Sequence, residues 1–348
     1  MTSLERVLHV MQGKLPDRVP LFELFVDQGV IESIKPGMSY EDFIDYADLD
    51  VVTCLTMVES PEQMHWLDRE KGIWQDKWGC TQGFTGEVIS VPIEPPRINC
   101  LADLRRYEPP DPKDNEVLES AGKLVERFKG KRAICAVGEA VFAVSQYLRA
   151  GLANLMMDYI LQPELAQKLA RIGVDYHVEL YRKLLAEGVE IIALGDDYAG
   201  KTGPYMSPAH FEEFILPGLK IVVQDIKSRG GYVIKHTDGN IWQIMDMLIT
   251  TGLDMLGPLE PACMALDEVR RYSNMKVGVV GSVDVDLLAR GSVEQVVSTT
   301  KEQLKRISPL GGHFLASGNS ITSFVNGENF MAMIKTVQEF GRYPISLN

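Results

Sequence analysis

The sequence predicts a closed parallel (β/α)8 barrel, a TIM barrel, with a long β-hairpin excursion after its second strand. Three observations predict it. Short apolar runs at residues 19–25, 51–55, 133–137, 191–195, 232–235, 255–258, 277–281 and 313–317 alternate with amphipathic helical stretches. Each run is followed by a connection long enough for a parallel crossover. The competing open, doubly wound sheet needs a Gly-rich phosphate turn after an early strand, and the chain has neither G-x-G-x-x-G nor a P-loop sequence.

The connections read clearly in several places. Pro163-Glu164-Leu165 opens a long periodic helix that ends near Gly188. Ser207-Pro208 supplies a cap and a first-turn proline for a helix running past Pro217 to Lys227. Ser292-Val293-Glu294-Gln295 has a capping serine followed by early acidic character. Residues 56–132 are far too many for a barrel loop. Within them, 73–78 and 88–93 flank a Gly-rich turn and read as the two strands of a hairpin lid. Pro92, Pro95, Pro96, Pro109, Pro110 and Pro112 mark an extended surface path back to the barrel. The whole chain, 1–348, is therefore expected to be one barrel domain carrying one lid.

Composition narrows the function. A formal net charge of −13 argues against nucleic acid or an anionic membrane as the main partner. The five cysteines are odd in number and form no C-x-x-C pair, so a reducing cytoplasm is expected. The first residues carry no long apolar stretch of the signal-peptide kind, and no run is long enough to span a bilayer.

Barrel chemistry sits where strands end, and these ends are acidic. Glu23 and Asp27 follow the first run, Glu139 the third, and Asp196-Asp197 the fourth. The fifth yields His236 and Asp238, two residues apart and so on one side of an extended chain. Glu260, Ser282, Asp284, Ser317 and Asn319 follow the remaining runs. Acids around a single histidine suit a divalent metal or acid–base work. Each residue has an ordinary structural role available: core histidine, helix cap, turn acid. His9, His65, His177, His210 and His313 read as packing or surface residues. Trp66, Trp74, Trp78 and Tyr205 either line a mouth for an apolar ring or pack the hairpin.

Taken in order, several segments resemble the uroporphyrinogen decarboxylase superfamily. They are "ERVLHVMQGKLPDRVP", "DKWG", "GPYMSPAHFEEFILPGLKIVVQDIKSRGGYVIKHTDGN", "GVVGSVDVDLLARGSVEQVV" and "GGHFLASGNSITSFVNGENFMAM". The resemblance implies a (β/α)8 barrel, often dimeric, with its site at the strand C-terminal ends. It also implies one of two activities: decarboxylation of uroporphyrinogen, or corrinoid-dependent methyl transfer.

The decarboxylases resemble one another in an Arg-Gln-Ala-Gly-Arg segment just after the first strand, which clamps substrate carboxylates. Here that place reads "LFELFVDQGVIES", and no arginine occurs from Val19 to Asp68. A substrate with many carboxylates needs cations there. The thiol-methylating branch resembles a His-x-Cys pair plus a later Cys, holding zinc. The matching positions are His236, Asp238 and Asn319, with oxygen donors where sulfur would be.

The resemblance therefore implies a methyltransferase that moves a methyl group from a methoxylated aromatic or similar donor to the Co(I) corrinoid of a partner protein. Zinc held by His236, Asp238 and Asn319 is expected, with Asp196, Asp197 and Glu260 completing the shell or acting as acid. The alternative is decarboxylation of uroporphyrinogen or a smaller acid. The chain lacks the D-x-H-x-x-G signature of cobalamin carriers, so the corrinoid is expected to arrive on its carrier.

Overall fold

The computed structural model describes residues 1–57, 64–84, 90–113 and 115–346, with the side chains of 115 and 116 left out. A parallel sheet curls through the centre in the order Val51–Leu55, Ala133–Gly138, Ile191–Leu194, Tyr232–Lys235, Met255–Leu256, Gly278–Val280 and His313–Phe314. Strand order follows chain order, as repeated right-handed crossovers require. The fold is a TIM-barrel-like α/β structure.

Residues 19–25, expected as the first strand, lie between the last and first members of this sheet but form no regular strand. Leu21 bridges Leu315 and Val26 bridges Ile321, both in parallel sense. On the other side the Asp50 amide donates to the Leu21 carbonyl at 3.1 Å, and the Leu21 amide donates to Asp50 Oδ2 at 2.8 Å. The ladder is broken because Pro20 has no N–H to give it. Contacts rather than a continuous ladder close the circle here.

Strand alternation divides the core into two layers. Ala133, Cys135, Val137, Ile191, Ala193, Ile234, Met255, Val280 and Phe314 face the barrel interior. Ile134, Ala136, Ile192, Leu194, Val233, Leu256 and Val279 face the helical shell. Both faces of each strand are therefore buried, which is why the runs read as continuously apolar rather than alternating.

The helices follow their local signals. The Pro163–Glu187 helix starts on its proline and ends at Gly188, whose φ of +117° suits glycine. Ser292 and Gln295 form a full capping box on Val293–Ile307. The segment after Ser207 is helical throughout but changes winding, with a π turn at Phe211–Ile215 before Leu216–Ser228. No helix among the described residues is long and apolar enough to cross a membrane.

The excursion carries more strand than the sequence suggested. His65–Asp68, Ile73–Gln75, Thr81–Gly83 and Val91–Pro92 form an antiparallel meander. The expected pairing of 73–78 with 88–93 is corrected: Ile73–Gln75 pairs with Thr81–Gly83, which pairs in turn with Val91–Pro92. The tight turn at Asp76–Gly79 brings the two central strands together, with the Asp76 side chain accepting from the Cys80 amide at 2.8 Å. Residues 88–89 of the expected strand lie outside the described residues.

Trp78 anchors the meander to the barrel. It is buried, with its ring 4.7 Å from that of Tyr176 on the Pro163–Glu187 helix. Lys77 Nζ donates to the Thr56 carbonyl at 2.9 Å.

Candidate metal centre and active site

His236 follows directly on the Tyr232–Lys235 strand and continues its pairing, its amide donating to the Leu194 carbonyl at 2.9 Å. Its parity with Ile234 turns the ring into the barrel mouth. There Nδ1 lies 2.9 Å from the Pro258 carbonyl oxygen. A carbonyl only accepts, so Nδ1 carries a proton, and in the neutral ring the lone pair falls on Nε2.

Two carboxylates meet that lone pair. Nε2 is 3.8 Å from Asp238 Oδ1 and 3.9 Å from Asp197 Oδ1. One donor atom from each of the three residues fits within a span of 4.8 Å. Burial, reinforced by the negative charge of Asp197, lifts Asp238 above the ordinary carboxylate range despite His236 and Asn319. Two acids crowded beside one imidazole offer a cation a strongly negative set of donors.

The loops carrying these residues are laced together. The Asp238 amide donates to Asp197 Oδ1 at 2.9 Å, and the Tyr198 amide donates to Thr237 Oγ1 at 2.8 Å. Gly239 has φ of +79°, and a Cβ there would lie 2.5 Å from the Gly200 carbonyl oxygen, so only glycine fits the approach. The Asp238-Gly239-Asn240 sequence thus does two jobs, since Asn240 also caps Trp242 through a 3.1 Å bond.

Asn319 is close but oriented differently from the expectation. Its Nδ2 lies 2.9 Å from both oxygens of Asp238, and its Oδ1 accepts from the Ser320 amide at 2.6 Å. The amide oxygen that would ligate a metal is thereby committed to the backbone. Asn319 orients Asp238, and Asp197 stands where Asn319 was expected among the donors.

Asp196 and Asp197 part company although adjacent. Asp197 turns inward with Gly195, whereas Asp196 turns outward and is fully buried. Its carboxylate accepts from the amides of Ala140, Val141, Phe142 and Ala143 at 2.7–3.3 Å, around the start of the Phe142–Leu148 helix. Burial would raise its pKa, but Lys235 and these amides outweigh burial and hold it below its ordinary value. The catalytic role expected of Asp196 is corrected on this geometry, since its oxygens are saturated and face away from the cluster.

Lys235 faces the same outer layer. Its buried ammonium donates to the carbonyls of Leu194, Asp196 and His236 and lies 4.2 Å from the Tyr198 ring centre. Burial pushes its pKa down to about 8, against the pull of Asp196. Nothing in "YVIKHTDGN" marks this lysine as interior. Strand parity places it there only once the register is known.

Glu260 stands at the rim, 4.0 Å from Lys201 Nζ, and adds to the burial that raises the Cys263 thiol. It adds negative charge near Asp238 without joining the three-residue cluster. Asp27 and Asp284 cap helices through their side chains. Glu23 is buried against Ser317. His177 and His313 are buried, and burial lowers both to about 4, as befits packing residues. Of the aromatics, Trp74 and Trp78 are buried and Trp66 stacks on Phe84, while Tyr205 is partly exposed and feels the charges of Asp197 and Asp238. A cavity lined by Asp254, Arg270 and Gly311 opens at the opposite end of the barrel, remote from this chemistry.

Comparison with known proteins matches this architecture. The family model "Uroporphyrinogen decarboxylase (URO-D)" matches residues 75–340. Uroporphyrinogen decarboxylase from Myxococcus xanthus is 25% identical over 260 residues, covering 72% of this chain and 71% of that protein. The enzyme of the same name from Carboxydothermus hydrogenoformans is 25% identical over 265 residues, covering 73% and 71%. Among solved structures, a methyltransferase from Methanosarcina mazei superposes with a TM-score of 0.74 at 19% identity, covering 98% of this chain and 99% of that one. A B12-independent methionine synthase from Shewanella superposes with a TM-score of 0.50 at 14% identity, covering 93% and 98%. With three quarters of its length inside one family model, the chain belongs to the uroporphyrinogen decarboxylase family.

Proposed function

We propose that this protein is a corrinoid-dependent methyltransferase. It takes a methyl group from a methoxylated aromatic or similar small donor and passes it to a reduced corrinoid delivered by a separate carrier protein. The observation that carries the reading is His236: Pro258 fixes its tautomer, and the free Nε2 faces Asp197 and Asp238 within 3.9 Å. One imidazole nitrogen and two carboxylate oxygens, with no sulfur, fit Zn²⁺ or another divalent ion of similar hardness. When bound, such an ion supplies Lewis acidity to an oxygen of the donor, easing departure of a poor leaving group.

The chain's own residues prepare that site. Pro258 holds the imidazole in its metal-ready form. Asn319 holds Asp238 and the Asp238 amide holds Asp197, so the two acids converge before any ion arrives. Tyr205 offers a partly exposed aromatic face beside them. The Methanosarcina methyltransferase supports the reading through shared architecture alone. Decarboxylation, the activity named for the sequence relatives, is the alternative. The absence of arginine from residues 19–68, where a polycarboxylate would need cations, weighs against it. A cytoplasmic homodimer working beside a corrinoid carrier completes the proposal.

The test is methylation of cob(I)alamin, followed by absorbance, using zinc-loaded protein and a panel of methoxylated aromatics. Activity with at least one donor is expected, together with about one zinc per chain in wild type and a fall in zinc affinity of tenfold or more in His236→Ala. Release of CO2 from an aromatic or tetrapyrrole acid without methyl transfer, or full activity of His236→Ala, overturns the proposal.

A further inference from the structure

The cavity at the opposite end of the barrel holds about 310 Å³, at the lower end of the range for small-molecule sites. Asp254, Gly278 and Gly312 line it. They stand at or just before the first residues of Met255–Leu256, Gly278–Val280 and His313–Phe314. These strands are parallel, so the cavity lies at the end away from Asp197, His236 and Asp238.

Arg270 supplies a buried cation to this cavity. The residue is 5% exposed. A guanidinium has five N–H groups. Nη1 donates to the Met275 and Val277 carbonyl oxygens at 2.8 and 2.7 Å, and Nη2 to the Leu310 carbonyl oxygen at 3.1 Å. Nε has no partner, and Nη2 has a hydrogen to spare. Burial lowers its pKa and only Tyr343 opposes the fall, so no carboxylate answers the charge. A buried charge in that condition is costly. Gly312 keeps one face of the guanidinium clear, since a Cβ there would lie 2.8 Å from Cζ and 2.9 Å from Nη2.

The rest of the lining adds to the positive charge. Lys276 stands at the rim and is exposed. Asp254 is the acid in the lining, and both its oxygens are engaged: Oδ1 by the Lys227 ammonium and Oδ2 by the Val233 amide at 2.8 Å. In a chain of net charge −13, this cavity carries a local surplus of positive charge. Met11, Leu15, Met275 and Leu310 make the remaining wall apolar.

We propose that this cavity binds a small monocarboxylate with an apolar body, its carboxylate against Arg270 and Lys276 and its body against Leu15 and Met275. A planar carboxylate matches the guanidinium in shape and brings the counter-charge that Arg270 lacks. An inorganic anion would leave the apolar wall uncovered. The site stands apart from the metal centre, and the inference does not depend on the reaction proposed above.

The experiment titrates benzoate into the full chain by calorimetry, with benzamide and inorganic phosphate as controls for charge and shape. One benzoate per chain is expected, with a Kd of about 1 mM or tighter. Benzamide and phosphate should bind about tenfold more weakly or worse. Two rim variants locate the site, because Arg270 also ties three carbonyls and its removal is expected to unfold this end. Leu15→Trp fills the mouth from a position that is 56% exposed, and Lys276→Glu reverses the rim charge. Each should lower benzoate affinity about tenfold with the thermal midpoint unchanged, whereas His236→Ala should bind benzoate as wild type does. A titration without saturable heat, equal binding of benzamide or phosphate, binding untouched by both rim variants, or binding lost in His236→Ala overturns the proposal.

Discussion

Replacing Glu23 by glutamine should make the protein more stable above neutral pH, although Glu23 is a buried residue with good hydrogen bonds. Its Oε1 accepts from the Ser317 amide at 2.9 Å, and its Oε2 lies 2.5 Å from Ser317 Oγ. The same hydroxyl also contacts the Asn319 carbonyl oxygen. A serine hydroxyl has one hydrogen. If Glu23 is ionised, that hydrogen must serve two acceptors. If Glu23 is protonated, it donates to Ser317, and Ser317 is free to donate to Asn319.

Burial accordingly raises Glu23 from 4.5 to about 8, with the Ser317 contacts working against the rise. The folded state holds this proton more tightly than the unfolded state, so the associated stability is complete below about pH 4.5 and is lost as pH climbs through 8. At 1.36 kcal/mol per pH unit, ionised Glu23 costs on the order of 4–5 kcal/mol. For a chain of 348 residues, that corresponds to roughly 6 °C in the thermal midpoint.

Glutamine keeps the acceptor, replaces the carboxyl O–H with an amide N–H and cannot ionise. Urea or thermal unfolding of both proteins from pH 4 to 9 is the assay. The profiles should coincide near pH 4 and separate between 5 and 9, with the variant above. Glu139, also raised by burial, contributes the same background slope to both. Parallel profiles, or a variant less stable at pH 9, would refute the reasoning.

Two other perturbations probe the scaffold of the site. Lys235→Met leaves Asp196 buried without its cation and takes one donor from each of three backbone carbonyls, so a loss of about 3–5 kcal/mol is expected. Adding Asp196→Asn should cost less than the sum of the two single changes, which a double-mutant cycle in urea measures. Asn319→Ala frees both oxygens of Asp238 from their shared donor. Zinc affinity by competition with a chelator should fall about 10- to 100-fold while the fold survives.

The barrel was legible because its signal is repeated: each apolar run reports the same two-faced burial. The exception, residues 19–25, is apolar enough to be a strand but contains Pro20, and only the structure reveals that contacts from Leu21 and Val26 replace the ladder. His236 and Asp238 were legible because i and i+2 share a side whatever the register. Asp196 against Asp197 was not. Adjacent residues on a strand face opposite ways, and which faces the mouth depends on where the pairing begins. The orientation of Asn319 was equally hidden, since an amide serves as metal ligand or as hydrogen-bond donor with no difference in sequence.

These placements give the mouth of the barrel a division of labour by face. Inward positions at the strand ends, Asp197, His236 and Asp238, bring their donor atoms within one span of 4.8 Å. Outward positions hold the inward ones still. Asp196 gathers the amides at the start of the Phe142–Leu148 helix, and Lys235 ties the loop after residue 194 to the loop after residue 235. Glu23 and Ser317 do the same where the circle lacks a ladder, and their bond continues through the Asn319 backbone to the side chain that grips Asp238. Closure of the barrel and orientation of Asp238 thus share one chain of hydrogen bonds. If so, raising the pH through the Glu23 transition should weaken zinc binding in wild type more than in Glu23→Gln, after the common effect of ligand deprotonation is subtracted. An equal pH dependence of zinc affinity in the two proteins would separate closure from the site.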